Sequence, residues 1–394
     1  VQLYYTLDDQ LRRDEIIQGY QSIIWTERYN VPGDFQIVTK STFAARSQLK
    51  VGTWITRHGS TYIMQIDTVN DATDQNGVRL LTVVGRSFEK ILEDRVAISA
   101  LADTTTVPNW VLTGTPRAII QELFDAICVR CVIDQGDRLP YYTFGTLLPT
   151  GNLSEPTDII TVTLQPQSLL SVITQLAQQF MYGFRFVKEG ETGRLYFEIY
   201  MGNDVTLNQS IYPPVIFDPA LDNLSQVSSL ASTATYKNIA YVIAANGSAM
   251  VYAATGDPTS SGADRRVLLV SSSNNNPAGP DLNIALQAEG QLALAAQRPL
   301  YAFDGQLPAN TQYIYGKDYN LGDLVEERNQ DDQGNRMVVT EQIFASDNTG
   351  ETAYPTLSLL DTIIPGSWNA WRPAIQAWQD VPTTLKWQDL PEGG

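Results

Sequence analysis

Ile23-Ile24-Trp25, Phe35-Gln36-Ile37-Val38, Trp54-Ile55-Thr56, Tyr62-Ile63-Met64-Gln65-Ile66 and Leu80-Leu81-Thr82-Val83-Val84 follow one another between positions 23 and 84. Each run is short, rich in β-branched and aromatic residues, and bounded by turn formers, which predicts strands. His58-Gly59-Ser60 supplies a tight hairpin turn, and Thr73-Asp74-Gln75-Asn76-Gly77 carries an Asn-Gly turn. The segment reads as a meander that closes into a barrel or joins a larger ring.

The pattern changes further along. A short helical stretch through Phe88, Ile91 and Leu92 leads into Asp103-Thr104-Thr105-Thr106-Val107-Pro108, a linker composition. Thr115 followed by Pro116 predicts a helix start, and Ile119, Ile120, Leu123, Phe124 and Ile127 repeat at helical spacing. A second helix is expected from about Ser168, burying Leu169, Leu170, Val172, Ile173, Leu176, Ala177 and Phe180 and stopping at Gly183. Phe184–Val187 and Leu195–Tyr200 then form a hairpin.

From Ile216 strands return: 224–231, 238–244, 249–254 and 267–270, then a helix near 283–297. Tyr315-Gly316-Lys317-Asp318-Tyr319-Asn320-Leu321-Gly322-Asp323-Leu324-Val325 reads as a strand approach, a turn and a new strand, whose partner runs from Met337 to Phe344. The expected fold is mainly β with an α+β insertion. Four parts follow: an N-terminal β-barrel part (1–105), the insertion (106–215), a second β-barrel region with one helix (216–365) and a Trp-rich C-terminal arm (366–394). The arm has no steady period, and Trp368, Trp371, Trp378 and Trp387 are read as anchors on a neighbouring protein rather than a sugar-stacking surface.

With 394 residues the chain is long enough for several cores. It holds 26 Lys and Arg against 43 Asp and Glu, a formal charge of −17, which argues against a grip on phosphate backbones. Residues 301–394 carry 14 acidic and 5 basic residues, so that stretch is expected to face water or a lumen. There is no run of about 18 apolar residues and no basic-then-apolar start, so neither a membrane span nor a signal peptide is expected.

His58 is the sole histidine and sits at a turn, which precludes a site built on several imidazoles. There is no Gly-x-Ser-x-Gly elbow, Walker loop or Gly-x-Gly-x-x-Gly after a strand. Cys128 and Cys131 lack the other ligands of a zinc site and are expected as two reduced, packed thiols. A glycosidase needs only two carboxylates roughly 5 to 9 Å apart. The doublets Asp8–Asp9, Glu326–Glu327 and Asp331–Asp332 are read instead as solvated or split between faces. Asp318, Asp323, Glu326, Asp331 and Asp332 do not form the 12-residue calcium loop. No cofactor and no metal are expected.

Several stretches resemble the hub proteins of siphophage tail tips, the tail-associated or minor tail proteins related to the contractile-phage baseplate hub. They are Trp25-Thr26 with Pro32-Gly33-Asp34-Phe35, and Gly85-Arg86-Ser87-Phe88-Glu89-Lys90-Ile91-Leu92. Next come Leu169–Ile173 with Gly183-Phe184-Arg185-Phe186, then Phe217-Asp218-Pro219-Ala220-Leu221-Asp222-Asn223-Leu224. The most specific is the Gly-x-Asp-Tyr-x-Leu-Gly-Asp phrase within 315–325. The resemblance implies tail-tube-like β-barrel domains in a ring, commonly a homotrimer, at the virion tail tip. It also implies partners among the distal tail protein and fibre proteins, passage of DNA without specific binding, assembly in the host cytoplasm, and no enzymatic activity. A tail-borne carboxylate hydrolase and a carbohydrate-binding adhesin are the rival readings.

Overall fold

The computed structural model describes residues 2–359 apart from 74–76, 100–109, 139–145, 148–152, 154, 191, 219–220, 222, 224, 254–260, 273, 275–276, 296, 298–299, 307–312, 329–333 and 349. The Thr-rich linker and the Trp-rich arm therefore lie outside the described residues.

The first strands are Tyr4–Leu7 (β1), Arg13–Ile16 (β2), Tyr20–Arg28 (β3), Asp34–Lys40 (β4), Trp54–Arg57 (β5), Met64–Thr73 (β6) and Arg79–Ser87 (β7). Alternation decides which face goes inward. Ile23 and Trp25 are fully buried while Ile24 between them is exposed, and Phe35 and Ile37 flank an exposed Gln36. Tyr62 and Ile63, read as strand, instead precede β6. Their carbonyls accept from Thr56 Oγ1 at 2.8 Å and from the Phe88 amide at 3.1 Å, bonds that take them out of the ladder. The strands β1 and β2 and the short helix Phe43–Gln48 were not legible in advance.

A single 13-stranded sheet carries the molecule. Its order is β2, β1, β5, β6, β7, β4, β3, then Gly334–Asp347, Gly350–Leu359, Leu300–Gln306 and Ser225–Ser232. Leu324–Arg328 branches from Gly334–Asp347, and Ile216–Phe217 pairs with it in parallel. The join between the two ends of the chain is β3 against Gly334–Asp347, antiparallel, with Trp25 opposite Phe344. Strands before and after the insertion thus share one sheet. The mainly β reading holds, but the path begins at β2 and ends at Ser225–Ser232, two strands that do not pair with each other. Among the described residues the sheet is open, not a closed barrel.

The insertion packs on that sheet. Thr115 Oγ1 accepts from the Ala118 amide at 3.3 Å and Pro116 occupies the first turn of helix Pro116–Phe124, as the sequence predicted. Helix Leu169–Phe180 ends when Met181 adopts a left-handed φ of 58°, two residues before the expected stop at Gly183. The hairpin Gly183–Lys188 with Leu195–Tyr200 is antiparallel throughout. Phe197 stacks on Phe124 at 4.1 Å, and Phe186 meets Phe88 edge-on at 4.7 Å, so the insertion and the main sheet share one continuous core.

A smaller unit stands apart. Gly247–Tyr252, Ile239–Ala244 and Val267–Ser271 form a three-stranded sheet of their own, covered on one face by helix Pro280–Ala295. Its core, built on Val242, Val251, Leu282, Leu286 and Leu294, is separate from the main one. Among the described residues no helix is long and apolar enough to cross a membrane.

Candidate functional site

The turn at 313–323 is built from its own residues. Gly316 takes a left-handed φ of 84°, Asp318 Oδ2 accepts from the Ile314 amide at 2.8 Å, and Asp323 Oδ2 accepts from the Asn320 amide at 2.7 Å. Tyr319, fully buried, donates its hydroxyl to Gln342 Oε1 at 2.8 Å and so fixes the turn to the sheet. Gly322, at φ 85°, brings the backbone against a single aromatic ring: a Cβ there would lie 2.2 Å from Tyr29.

Tyr29 is the point where three segments meet. It follows β3, is fully buried, and sits between Gly322 on one side and Gly183 on the other, where a Cβ would lie 2.3 Å from the ring. Its amide donates to the Thr340 carbonyl at 2.9 Å, its carbonyl accepts from the Phe184 amide at 3.1 Å, and its hydroxyl donates to the Met181 carbonyl at 2.6 Å. One residue thereby binds the N-terminal sheet to the insertion and to the returning strands. Only glycine lets both neighbours approach this closely.

Beside it lies a buried carboxylate. Glu27 is 1% exposed, on the same face of β3 as Trp25. Its Oε1 accepts from Ser60 Oγ at 2.7 Å, Trp25 Nε1 at 3.0 Å and Arg57 at 3.3 Å, and its Oε2 accepts from Tyr315 Oη at 2.9 Å. Arg57 lies over the Phe344 ring at 3.7 Å. A charge this deep is tolerable only because a cation and neutral donors surround it. In the insertion the half-buried Arg185 pairs with Glu198 at 2.5 Å above the Tyr200 ring. Glu89, also buried and pushed upward in pKa by burial, accepts from the Phe186 amide at 2.7 Å.

Asp323 holds the return strand in place. Its Oδ1 accepts from the Asn203 amide at 2.6 Å, while Gly202 packs so tightly on Gly322 that a Cβ would lie 2.1 Å from that residue's carbonyl carbon. Burial pushes the Asp323 carboxyl up from 3.8 to about 6, against the two amides that favour the charged form. An acid with a raised folded pKa contributes stability that is full below the unfolded value and lost as pH rises through the folded one. The wild type should therefore lose up to about 3 kcal/mol relative to Asp323→Asn between roughly pH 4 and pH 7. Chemical denaturation of both proteins across that range is the check; parallel curves would disprove it.

The residues marked from sequence are scattered. Trp368, Trp371, Trp378 and Trp387 lie outside the described residues, as do Asp331 and Asp332. His58 is exposed, its ring 6.2 Å from that of Tyr5. Cys128 and Cys131 are free and buried, and burial pushes the Cys128 thiol up to about 12. Glu326 and Glu327 divide as expected of neighbours on a strand: Glu326 accepts from Arg328 at 3.2 Å, and the buried Glu327 accepts from Asn335 Nδ2 at 2.9 Å. Asp8 is held below the usual carboxylate range by the Arg12 amide, the Arg12 guanidinium and the Gln10 amide. Among the described residues no group of three or more His, Cys, Asp or Glu is placed to hold a metal.

What the geometry shows is a joint between three segments, and it falls on the phrase Gly316–Val325 that carried the sequence resemblance. A family model described as Siphovirus ReqiPepy6 Gp37-like protein matches residues 1–357. The chain belongs to that family. The Gp37-like assignment bears out the resemblance to siphophage tail proteins. The 43 kDa tail protein of prophage MuSo2 from Shewanella oneidensis is similar in structure, with a TM-score of 0.53 and 15% identity over 92% of this chain and 99% of that one. The tail protein from Neisseria meningitidis MC58 gives a TM-score of 0.54 and 12% identity over 92% and 99%. At such identities the likeness is one of fold. No curated protein matches the sequence.

Sequence reasoning passed over Tyr29, Glu27 and Gly202. A signal existed for one of them: Glu27 continues the inward stripe Ile23, Trp25, and a charge on an apolar stripe marks a paired, buried group.

Proposed function

We propose that this Gp37-like chain is the structural hub, or minor tail protein, at the distal tail tip of a long-tailed phage. It closes the tail tube, anchors fibres or receptor-binding proteins, and works by assembly rather than catalysis. The observation that carries this reading is the open sheet. Of its two end strands, β2 is Arg13-Asp14-Glu15-Ile16, fully exposed and charged, as solvent-facing edges usually are. Ser225–Ser232, Ser-Gln-Val-Ser-Ser-Leu-Ala-Ser, has no charge at all, and such an edge calls for a neighbour. Closed symmetry joins edges between copies, and a homotrimeric ring is the form we adopt.

In that ring the parts 1–105 and 216–365 supply the tube-like wall, 106–215 braces it, and the arm 366–394 grips an adjoining subunit through its tryptophans. The excess of acidic residues suits a lumen through which DNA slides without sticking. Light scattering should give a mass near three times 43.6 kDa, and Ser228→Lys with Leu230→Lys on the end strand should reduce it to a monomer. Immunogold on intact virions should mark the distal tail end. A monomeric wild type, or gold on the head or along the tube, would overturn the proposal.

A further inference from the structure

The small unit is tightly built inside and loosely seated outside. Within it, helix Pro280–Ala295 lies so close to its sheet that a Cβ on Gly290 would come within 2.5 Å of Val251. The opposite side of the same helix meets helix Leu169–Phe180 and strand Ile160–Leu164 across a cavity of about 290 Å³, lined by Ile160, Val162, Leu176, Phe180, Ala285 and Leu292. Glu289 also lines that cavity, and its buried Oε1 has no hydrogen-bond partner among the described residues. An underpacked seam forfeits dispersion contacts, and an unpaired buried acceptor costs its full desolvation. Both terms weaken docking at this seam.

The tethers complete the picture. The unit is inserted between Ser225–Ser232 and Leu300–Gln306, which pair antiparallel with Ser232 opposite Leu300. Above them the Lys237 amide donates to the Gln297 carbonyl at 2.9 Å. Both connections therefore leave the main sheet side by side, which is the geometry of a single hinge. We infer that strands Ile239–Ala244, Gly247–Tyr252 and Val267–Ser271 with helix Pro280–Ala295 form a head that swings off helix Leu169–Phe180 as a rigid body, about the paired strands at its base, with Glu289 setting how readily the seam opens. This holds whether or not the ring exists, since it depends only on contacts within one chain.

Thiol labelling of the full-length protein tests it. Ala285 is 8% exposed and faces the seam, while Cys128 is 7% exposed in the main core, so at rest the two positions are equally protected. With each rate divided by that of the same thiol in the unfolded chain, the thiol introduced by Ala285→Cys should react at least about tenfold faster than Cys128, because it needs only local opening. Adding Glu289→Leu should slow that thiol by about tenfold by replacing the unpaired acceptor on the cavity wall with an apolar side chain. Adding Leu292→Ala should accelerate it and leave Cys128 unchanged. Equal rates at positions 285 and 128 would overturn the inference, as would a Glu289→Leu protein that labels as fast as its parent or faster.

Discussion

Gly202→Ala should destabilise the protein by about 3–4 kcal/mol, among the larger effects expected of any single methyl group added to this chain. The reason is what the new Cβ would meet: the carbonyl carbon of Gly322 at 2.1 Å and the Asp323 amide nitrogen at 2.4 Å. Both are backbone atoms, so no rotamer change can relieve the clash. The segments must separate, and with them go three hydrogen bonds: Asn203 amide to Asp323 Oδ1 at 2.6 Å, Leu324 amide to Asn203 carbonyl at 2.8 Å and Val205 amide to Leu324 carbonyl at 2.9 Å.

Gly183→Ala provides the contrast, since its close neighbours are side chains, the Tyr29 ring 2.3 Å and the Tyr200 ring 2.7 Å from a Cβ. There Tyr29→Leu should recover part of the loss, and the double mutant should be less damaged than the two single effects added together. No side-chain change should rescue Gly202→Ala. Urea unfolding of the set decides it: a Gly202→Ala protein within 1 kcal/mol of wild type would mean that the two backbones do not lie as close as described.

The same joint shows what could be read from residues alone. Strands β3, β4, β6 and β7 were legible because a sheet with one face buried must alternate, and Trp25, Phe35 and Ile37 do so. The helices were legible through Thr115–Pro116 and the spacing Leu169, Leu170, Val172, Ile173, Leu176. β2 was not, because Arg13-Asp14-Glu15-Ile16 at a sheet edge has no inward face to impose a pattern. Nor could local sequence reveal that β3 pairs with Gly334–Asp347, since that register is set by contacts between residues more than three hundred positions apart. The small sheet 239–271 looks locally like the strands around it, so its withdrawal into a separate core was equally hidden. The Gly316–Val325 phrase marked the joint, while its partners Tyr29, Gly183 and Gly202 come from three other parts of the chain.

Glu27→Leu should cost about 3–5 kcal/mol, although it replaces a charged group in the core with an apolar one of similar size. The loss comes from what stays behind. Arg57, Ser60, Trp25 Nε1 and Tyr315 Oη all direct donors at the Glu27 carboxylate, and Arg57 Nε already lacks a hydrogen-bond partner among the described residues. Without the carboxylate the guanidinium becomes a mostly buried, unpaired cation. Removing both charges should therefore be far milder than removing one: Glu27→Leu with Arg57→Met should recover most of the stability, since methionine keeps contact with Phe344.

Glu27→Gln should fall between, at roughly 1–2 kcal/mol, because one oxygen still accepts while the new NH₂ faces donors. Wild type, Glu27→Leu, Arg57→Met and the double mutant form a double-mutant cycle under denaturant, and a coupling near zero would show that the pair does not act as a unit. If the double mutant is stable yet its 313–323 turn exchanges amides faster than in wild type, the charge pair is there to hold the returning segment in register. That would explain a buried ion pair at this position better than any contribution to overall stability, because Tyr315 is the one donor of the four that comes from across the joint.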